Sequence, residues 1–173
     1  MQKKGTLFVI SGPSGSGKTT LAAKLLDDAS LKRRLLRSVS FTTRNKRRGE
    51  RQGKDYFFIS KARFLALRKA KKILEWTSYL GYYYGTPKEF VDKRLSEGKN
   101  IVLCLDVRGA KRMKRIYRKA SATIFIKPPS VAALRHRIEL RGRETTREEI
   151  DRRLAQALQE LGQAEQYDFQ IVN

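Results

Sequence analysis

Eight residues near the start of the chain, Gly12, Pro13, Ser14, Gly15, Ser16, Gly17, Lys18 and Thr19, follow the spacing G-x-x-x-x-G-K-[ST]. Before them lies a short apolar run, Thr6 to Ile10, and after them a helical pattern with Leu21, Leu25 and Leu26. Strand, glycine-rich loop, helix is the context such a motif requires. Glycines let successive backbone N–H groups turn toward phosphate oxygens. The following helix adds the partial positive charge of its N-terminus. Lys18 supplies a point charge for β- and γ-phosphates, and the Thr19 hydroxyl suits a Mg²⁺ ion. The plainer alternative, a glycine-rich turn, accounts for the glycines but not for Lys18-Thr19 or the flanks. The loop specifies a nucleoside triphosphate and leaves its fate open.

A second group of polar residues lies further on. Ser40, Arg44, Arg47 and Tyr56 fall in a segment with two glycines, Gly49 and Gly53. Two arginines three apart can converge on one phosphate, each with a forked guanidinium. A tyrosine hydroxyl adds a neutral donor. A solvated basic loop is the competing explanation.

The elements that must hold these groups alternate in type. A strand at about 6–10 and a helix to about Asp27 flank the loop, and basic residues 28–37 end that helix. An extended run, Leu36–Phe41, leads to a strand at Tyr56–Ile59. Ser60 caps a helix with Phe64, Leu65 and Leu67. Ile73–Trp76 reads as a strand, Tyr79–Pro87 as a hairpin and turn, and Lys88–Ser96 as a helix closed by Gly98. Ile101–Val107 has the length and two-sided apolar character of a buried parallel strand, with Asp106 near its C-terminal end. The next helix puts Ala110, Met113, Ile116 and Tyr117 on one face, and Lys111, Arg112, Lys114, Arg115 and Arg118 on the other. Ala122–Ile126 is a strand broken by Pro128-Pro129. Ser130 caps a helix with Val131, Leu134 and Ile138, interrupted at Arg141-Gly142-Arg143. Thr146 to Glu149 form a capping box for a helix with Ile150, Leu154, Leu158 and Leu161 on one face. Gln170–Asn173 is a last strand. Alternating β and α after a phosphate loop predicts an α/β fold with a doubly wound parallel sheet.

With 173 residues and 40% hydrophobic content, the chain fits one globular domain. Its single cysteine, Cys104, excludes an internal disulfide. No apolar run approaches the roughly 20 residues of a membrane span, and Met1 to Lys4 lead straight into the first strand. A cytoplasmic location and no membrane association are therefore expected. The net charge of +22 has three competing explanations: cations around an anionic small-molecule site, a nucleic-acid surface, or bias spread over solvated helix faces.

The run Ser38-Val39-Ser40-Phe41-Thr42-Thr43-Arg44, then Arg47, Gly49-Glu50, Gly53 and Asp55-Tyr56, resembles the nucleoside-monophosphate region of guanylate kinases. So do Glu75 with Tyr84-Gly85-Thr86, Leu105-Asp106-Val107-Arg108-Gly109-Ala110, Phe125-Ile126-Lys127-Pro128-Pro129-Ser130, Arg141-Gly142, and Tyr167-Asp168 to Asn173. The resemblance spans essentially the whole chain in order. It implies a P-loop core (about 1–37, 88–134 and 155–173), a small mixed β/α GMP-binding insertion (about 38–87) and a helical lid (about 135–154). It implies an ATP:GMP phosphotransferase working with Mg²⁺ on ATP and GMP or dGMP, as a monomer or homodimer. Specific nucleic-acid recognition is not expected despite the charge.

By the same resemblance, Gly12 to Thr20, with Gly15, Gly17 and Lys18 at the phosphates, and Asn173 near the adenine, bind ATP. Ser40, Arg44, Arg47, Tyr56, Glu75, Tyr84, Thr86 and Asp106 bind GMP. Lys18, Arg44, Arg137, Arg141 and Arg153 are catalytic. Thr19 holds the metal, with Asp106 acting through a water. Guanine's N1–H and 2-amine suit the Glu75 carboxylate, and its O6 suits the Ser40 and Thr86 hydroxyls. Adenine would leave Glu75 poorly paired, at a cost of about 1–3 kcal/mol or more. The family carries an acidic residue where this chain has Cys104 and a glutamine where it has Arg108, and continues past Asn173 with one more helix. The alternatives are a non-catalytic guanylate-kinase-like module for a phosphopeptide or nucleic acid, and a kinase for another small phosphate ester.

Overall fold

A computed structural model describes residues 4–79, 81–141 and 146–173, with the side chain of Arg141 outside the description. Its elements run β1 Leu7–Ser11, α1 Lys18–Asp27, β2 Leu35–Arg37, β3 Phe41–Thr42, β4 Phe57–Phe58, α2 Lys61–Lys69, β5 Ile73–Tyr79 and β6 Tyr82–Pro87. They continue with α3 Lys88–Ser96, β7 Asn100–Cys104, α4 Val107–Tyr117, β8 Ser121–Lys127, α5 Val131–Arg141, α6 Arg147–Leu161 and β9 Phe169–Val172.

Among the described residues, five strands form one sheet in the order β2-β7-β1-β8-β9, every neighbour parallel. Parallel strands need crossover helices, and the helices bury both faces of the sheet. Alternate residues of β1 show this directly. Leu7 and Val9 join Ile101, Leu103, Val107, Ala110 and Met113 on one side, while Phe8 and Ile10 join Ala22, Val102 and Ile126 on the other. This is the doubly wound α/β arrangement read from the sequence.

Four further strands make a smaller mixed sheet, β4-β3-β6-β5. Its hairpin β5–β6 slips register between Ile73 and Trp76, where one extra residue is accommodated on β5. Such a bulge re-aims side chains locally, and Glu75 sits on it.

Several expectations about packing change. The run from Ile101 stops being strand at Cys104, because Asp106 is the N-cap of α4 and its Oδ1 accepts from Gly109 N–H at 2.7 Å. Asp106 therefore opens a helix instead of ending a strand, and Cys104 is exposed at the strand's C-terminal end. On α4, Ile116 is 45% exposed, whereas Ala110 and Met113 are buried. On α6, Leu158 is 45% exposed and Ala157 is buried in its place, so the face is Ile150, Leu154, Ala157 and Leu161. Val131 is also exposed, at the first turn of α5. Ser60, Ser130 and Thr146 do cap their helices, accepting from Arg63, Ala133 and Glu149 N–H. Gly142 and Arg143 lie outside the described residues. Among the described residues no helix is long and apolar enough to cross a membrane.

Candidate active site

The phosphate loop turns because its glycines adopt conformations that side chains resist. Gly12 has φ +139° and lies against the Ile126 carbonyl, where a Cβ would come within 2.4 Å. Gly17, at φ +90°, is the N-cap of α1 and offers no side-chain cap, so no capping side chain competes with a phosphate for the first-turn N–H groups of the helix. Lys18 Nζ donates to the carbonyls of Gly12 at 2.6 Å and Pro13 at 2.8 Å, which places the ammonium over the loop it serves. Thr19 and Thr20 are exposed on the first turn.

The far end of the chain closes on this loop. Asn173 Nδ2 donates to Ser16 O at 3.0 Å, and Arg137 Nη1 donates to Asn173 O at 2.9 Å. Arg137 and Asn173 line a cavity of about 390 Å³ with Gly15, Gly17, Thr20 and Leu140. Arg153 lies elsewhere. It bonds Glu149 on its own helix and borders a cavity of about 490 Å³ with Gly12, Gly15, Lys18, Thr19, Cys104 and Asp106. The structure thus separates these two arginines: Arg137 lines the cavity on the flank of the loop, and Arg153 lines a different cavity that the loop also borders.

Arg44 is held by Glu50 through two bonds, Nη1 to Oε2 at 3.0 Å and Nη2 to Oε1 at 2.6 Å. Its guanidinium lies 5.6 Å from the Tyr56 ring centre and 5.7 Å from that of Phe58. Glu50 also accepts the Arg47 main-chain N–H at 2.7 Å, while the Arg47 side chain is exposed. The paired guanidinium holds Glu50 below the usual carboxylate range, and Glu50 raises Arg44. Tyr56 and Tyr84 meet edge to face at 5.9 Å. Arg44, Tyr56 and Tyr84 are therefore brought together. Glu50, the residue that orients Arg44, was not among the expected site residues. An acid six positions after Arg44 in a run of cations was the available signal.

Glu75 is 6% exposed. Its Oε1 accepts the Thr86 hydroxyl at 2.5 Å, and its Oε2 faces the first turn of α4. Burial pushes its carboxyl up to about 7; the Thr86 bond and the Arg112 charge oppose that rise, while Asp106 adds to it. Thr86 directs its hydrogen to Glu75 here, so it positions the carboxylate instead of presenting a donor of its own. Ser40 is placed apart from Glu75, in a small cavity of about 160 Å³ with Tyr56, Thr19, Arg37 and Cys104. The Cys104 thiol approaches Lys18 O at 3.8 Å; the residue keeps an exposed edge, yet the protein packed around the sulfur pushes the thiol up, with Lys18 and Arg37 pulling it back. Arg141 ends α5, with its side chain outside the described residues.

Thr19 and Asp106 border the same cavity. Among the described residues no three His, Cys, Asp or Glu side chains come together as a metal cage. One hydroxyl and one carboxylate beside a phosphate loop suit a hard cation that takes most of its ligands from phosphates and water, as Mg²⁺ does.

The guanylate kinase family model matches residues 4–173. The guanylate kinase of Wolbachia pipientis wMel is 42% identical over 173 residues, covering 100% of this chain and 84% of that protein. That of Caldanaerobacter subterraneus subsp. tengcongensis is 43% identical over 173 residues, covering 100% and 82%. The crystal structure of guanylate kinase from Anaplasma phagocytophilum superposes with a TM-score of 0.75 at 33% identity, covering 100% of this chain and 79% of that one. A phosphate loop, a clamped arginine–tyrosine cluster and a buried carboxylate on a hairpin are shared out along the same length that the family model matches, and the chain belongs to the guanylate kinase family.

Proposed function

We propose that the protein transfers the γ-phosphoryl group of ATP to GMP, giving ADP and GDP. One observation carries this reading: the phosphate loop and the β5 strand that carries a buried, hydroxyl-oriented carboxylate border one cleft, the strand through Thr77, Ser78 and Tyr79, and Asp106 at the head of α4 lines it too. A donor site alone would fit many enzymes. The carboxylate selects a base with adjacent N–H donors, which is guanine.

In the transfer, a phosphate oxygen of GMP forms the new bond to the γ-phosphorus while the bond to the ADP oxygen breaks. That oxygen is already anionic, so no general base is required, and catalysis is positioning and charge stabilisation. Lys18 and the loop N–H groups hold the triphosphate. Arg44, Arg47, Tyr56 and Tyr84 hold the acceptor phosphate, and Glu75 with Thr86 holds the base. Arg153, which lines the cavity that the loop borders, stabilises charge on the transferring group, with Arg137 and Arg141 completing the lid. Asn173 and Arg137 flank the donor base. Thr19, with Asp106 through water, would hold Mg²⁺, which when bound neutralises phosphate charge. The division into a core, a GMP-binding unit over 38–87 and a lid over 135–154, a cytoplasmic location where both nucleotides are supplied, and a monomeric or dimeric state belong to the same proposal.

The test is an acceptor panel: ADP formation from ATP with GMP, dGMP, AMP, CMP and UMP. GMP and dGMP are expected to be used far better than the rest. Preference for AMP or a pyrimidine would overturn the assignment.

A further inference from the structure

We propose that Arg112 is a positioning residue for the acceptor base, holding Glu75 in its guanine-reading place without touching the nucleotide. The inference rests on the reading of Glu75 as the guanine acceptor. It begins with a bond that links two separate elements: Arg112 Nε on α4 donates to the carbonyl of Leu74 on β5 at 2.5 Å. Leu74 immediately precedes Glu75, and both lie where the β5–β6 register breaks. A regular ladder fixes strand residues through paired hydrogen bonds, and a bulge locally disrupts that pairing. The Arg112 guanidinium supplies an anchor at that point, from a helix seated on the core.

The helix is close enough for its composition to matter. A Cβ on Gly109 would lie 3.2 Å from Glu75 Oε2 and 3.2 Å from Asp106 Oδ1. Glycine at that position lets the first turn of α4 approach the carboxylate. Leu74 itself is buried among Val107, Ala110 and Met113, so the Arg112 bond closes over an apolar contact between the same two elements. The groups facing Glu75 are Thr86 from β6, and Asp106 and Arg112 from α4. Asp106 and burial disfavour a carboxylate there; Arg112 is the cation among them that favours it. The neighbouring Lys114 is engaged by Asp168 at 2.7 Å, and so does not serve this site.

Steady-state kinetics of Arg112→Met and Arg112→Lys, measured with GMP and with inosine monophosphate, test the assignment. Inosine monophosphate lacks the 2-amine, so its use reports whether Glu75 is aimed at both guanine donors. Arg112→Met should raise KM for GMP about tenfold, the size expected for one charge-assisted hydrogen bond. Its kcat and its KM for ATP should stay within about twofold, a split that uniform acceptor binding gives. The preference for GMP over inosine monophosphate should fall, and Arg112→Lys should restore most of both. An unchanged GMP KM in Arg112→Met overturns the proposal. So does a joint loss of kcat, ATP affinity and thermal midpoint that lysine does not restore, which would mark a merely structural role. Should Arg112→Met fail to fold, Arg112→Ala removes the donor and the charge while keeping a good helix former, and is read by the same criteria. Glu75→Gln separates the two levels: if it leaves GMP kinetics unchanged, the guanine reading itself fails, whereas impaired Glu75→Gln with normal Arg112→Met defeats only the role of Arg112.

Discussion

If Glu75 reads guanine as proposed, the burial that makes it selective also works against its charge. Its carboxyl titrates near 7 in the folded chain, against 4.5 for an ordinary glutamate. Guanine needs the carboxylate form, so KM for GMP should fall as pH rises from about 6 to 8, by up to about tenfold per unit on the acid side of the midpoint. An acceptor KM that does not vary over that interval would contradict it. Stability moves the other way. Below 4.5 both states are protonated and the group costs nothing; above it the unfolded chain ionises first, and the penalty grows until pH passes about 7. The full penalty is about 3 kcal/mol. Glu75→Gln should therefore raise the thermal midpoint more at pH 8 than at pH 5 while impairing GMP use, as paired melting and kinetic measurements would show. At Glu50 the logic is positional. Glu50→Ala leaves the Arg44 fork without its partner, and KM for GMP should rise about three- to tenfold with KM for ATP unchanged.

Elements decide what those residues face. Asp106 has two separable duties, because it caps α4 through Gly109 N–H and also borders the central cavity. Asparagine caps as well as aspartate but carries no charge. Asp106→Asn should keep the thermal midpoint and lower turnover, while Asp106→Ala should lose turnover and about 1 kcal/mol of stability. Equal melting of the two variants would refute the capping duty. This duality was not legible in the sequence. The apolar run through Val107 reads as one strand, and only a capped helix explains why it ends at Cys104. Helix phase was similarly ambiguous: with leucine at 154, 158 and 161, the pattern favours Leu158 over the small Ala157, yet close packing against Leu134 and Ile138 buries the alanine. What was legible were the caps at Ser60, Ser130 and Thr146, where a short side chain and an N–H three residues on are all the geometry required.

At the scale of the molecule, the phosphate loop and the alternation of strands and helices announced the parallel sheet, because crossover connections leave few other arrangements. The small sheet was less readable. Its strands β3 and β4 have two residues each, and its bulge arises from pairing between distant positions. The charge of +22 belongs to this scale too. Both substrates are polyanions, so KM for ATP and GMP should rise together with added KCl. Any association with single-stranded DNA should be weak and should vanish between about 50 and 200 mM salt. Tight binding at the higher salt, read by anisotropy, would show that the charge has a nucleic-acid partner.

The donor loop is tied to residues far along the chain, through Asn173 to Ser16 and through the Tyr167 hydroxyl to Ser11 Oγ at 3.1 Å. These bonds span 157 and 156 positions. During synthesis the loop leaves the ribosome long before its clasp does. Over that interval the nascent chain carries the phosphate-binding motif without the contacts that brace it. ATP binding should accordingly arise abruptly, once the clasp has emerged and not before.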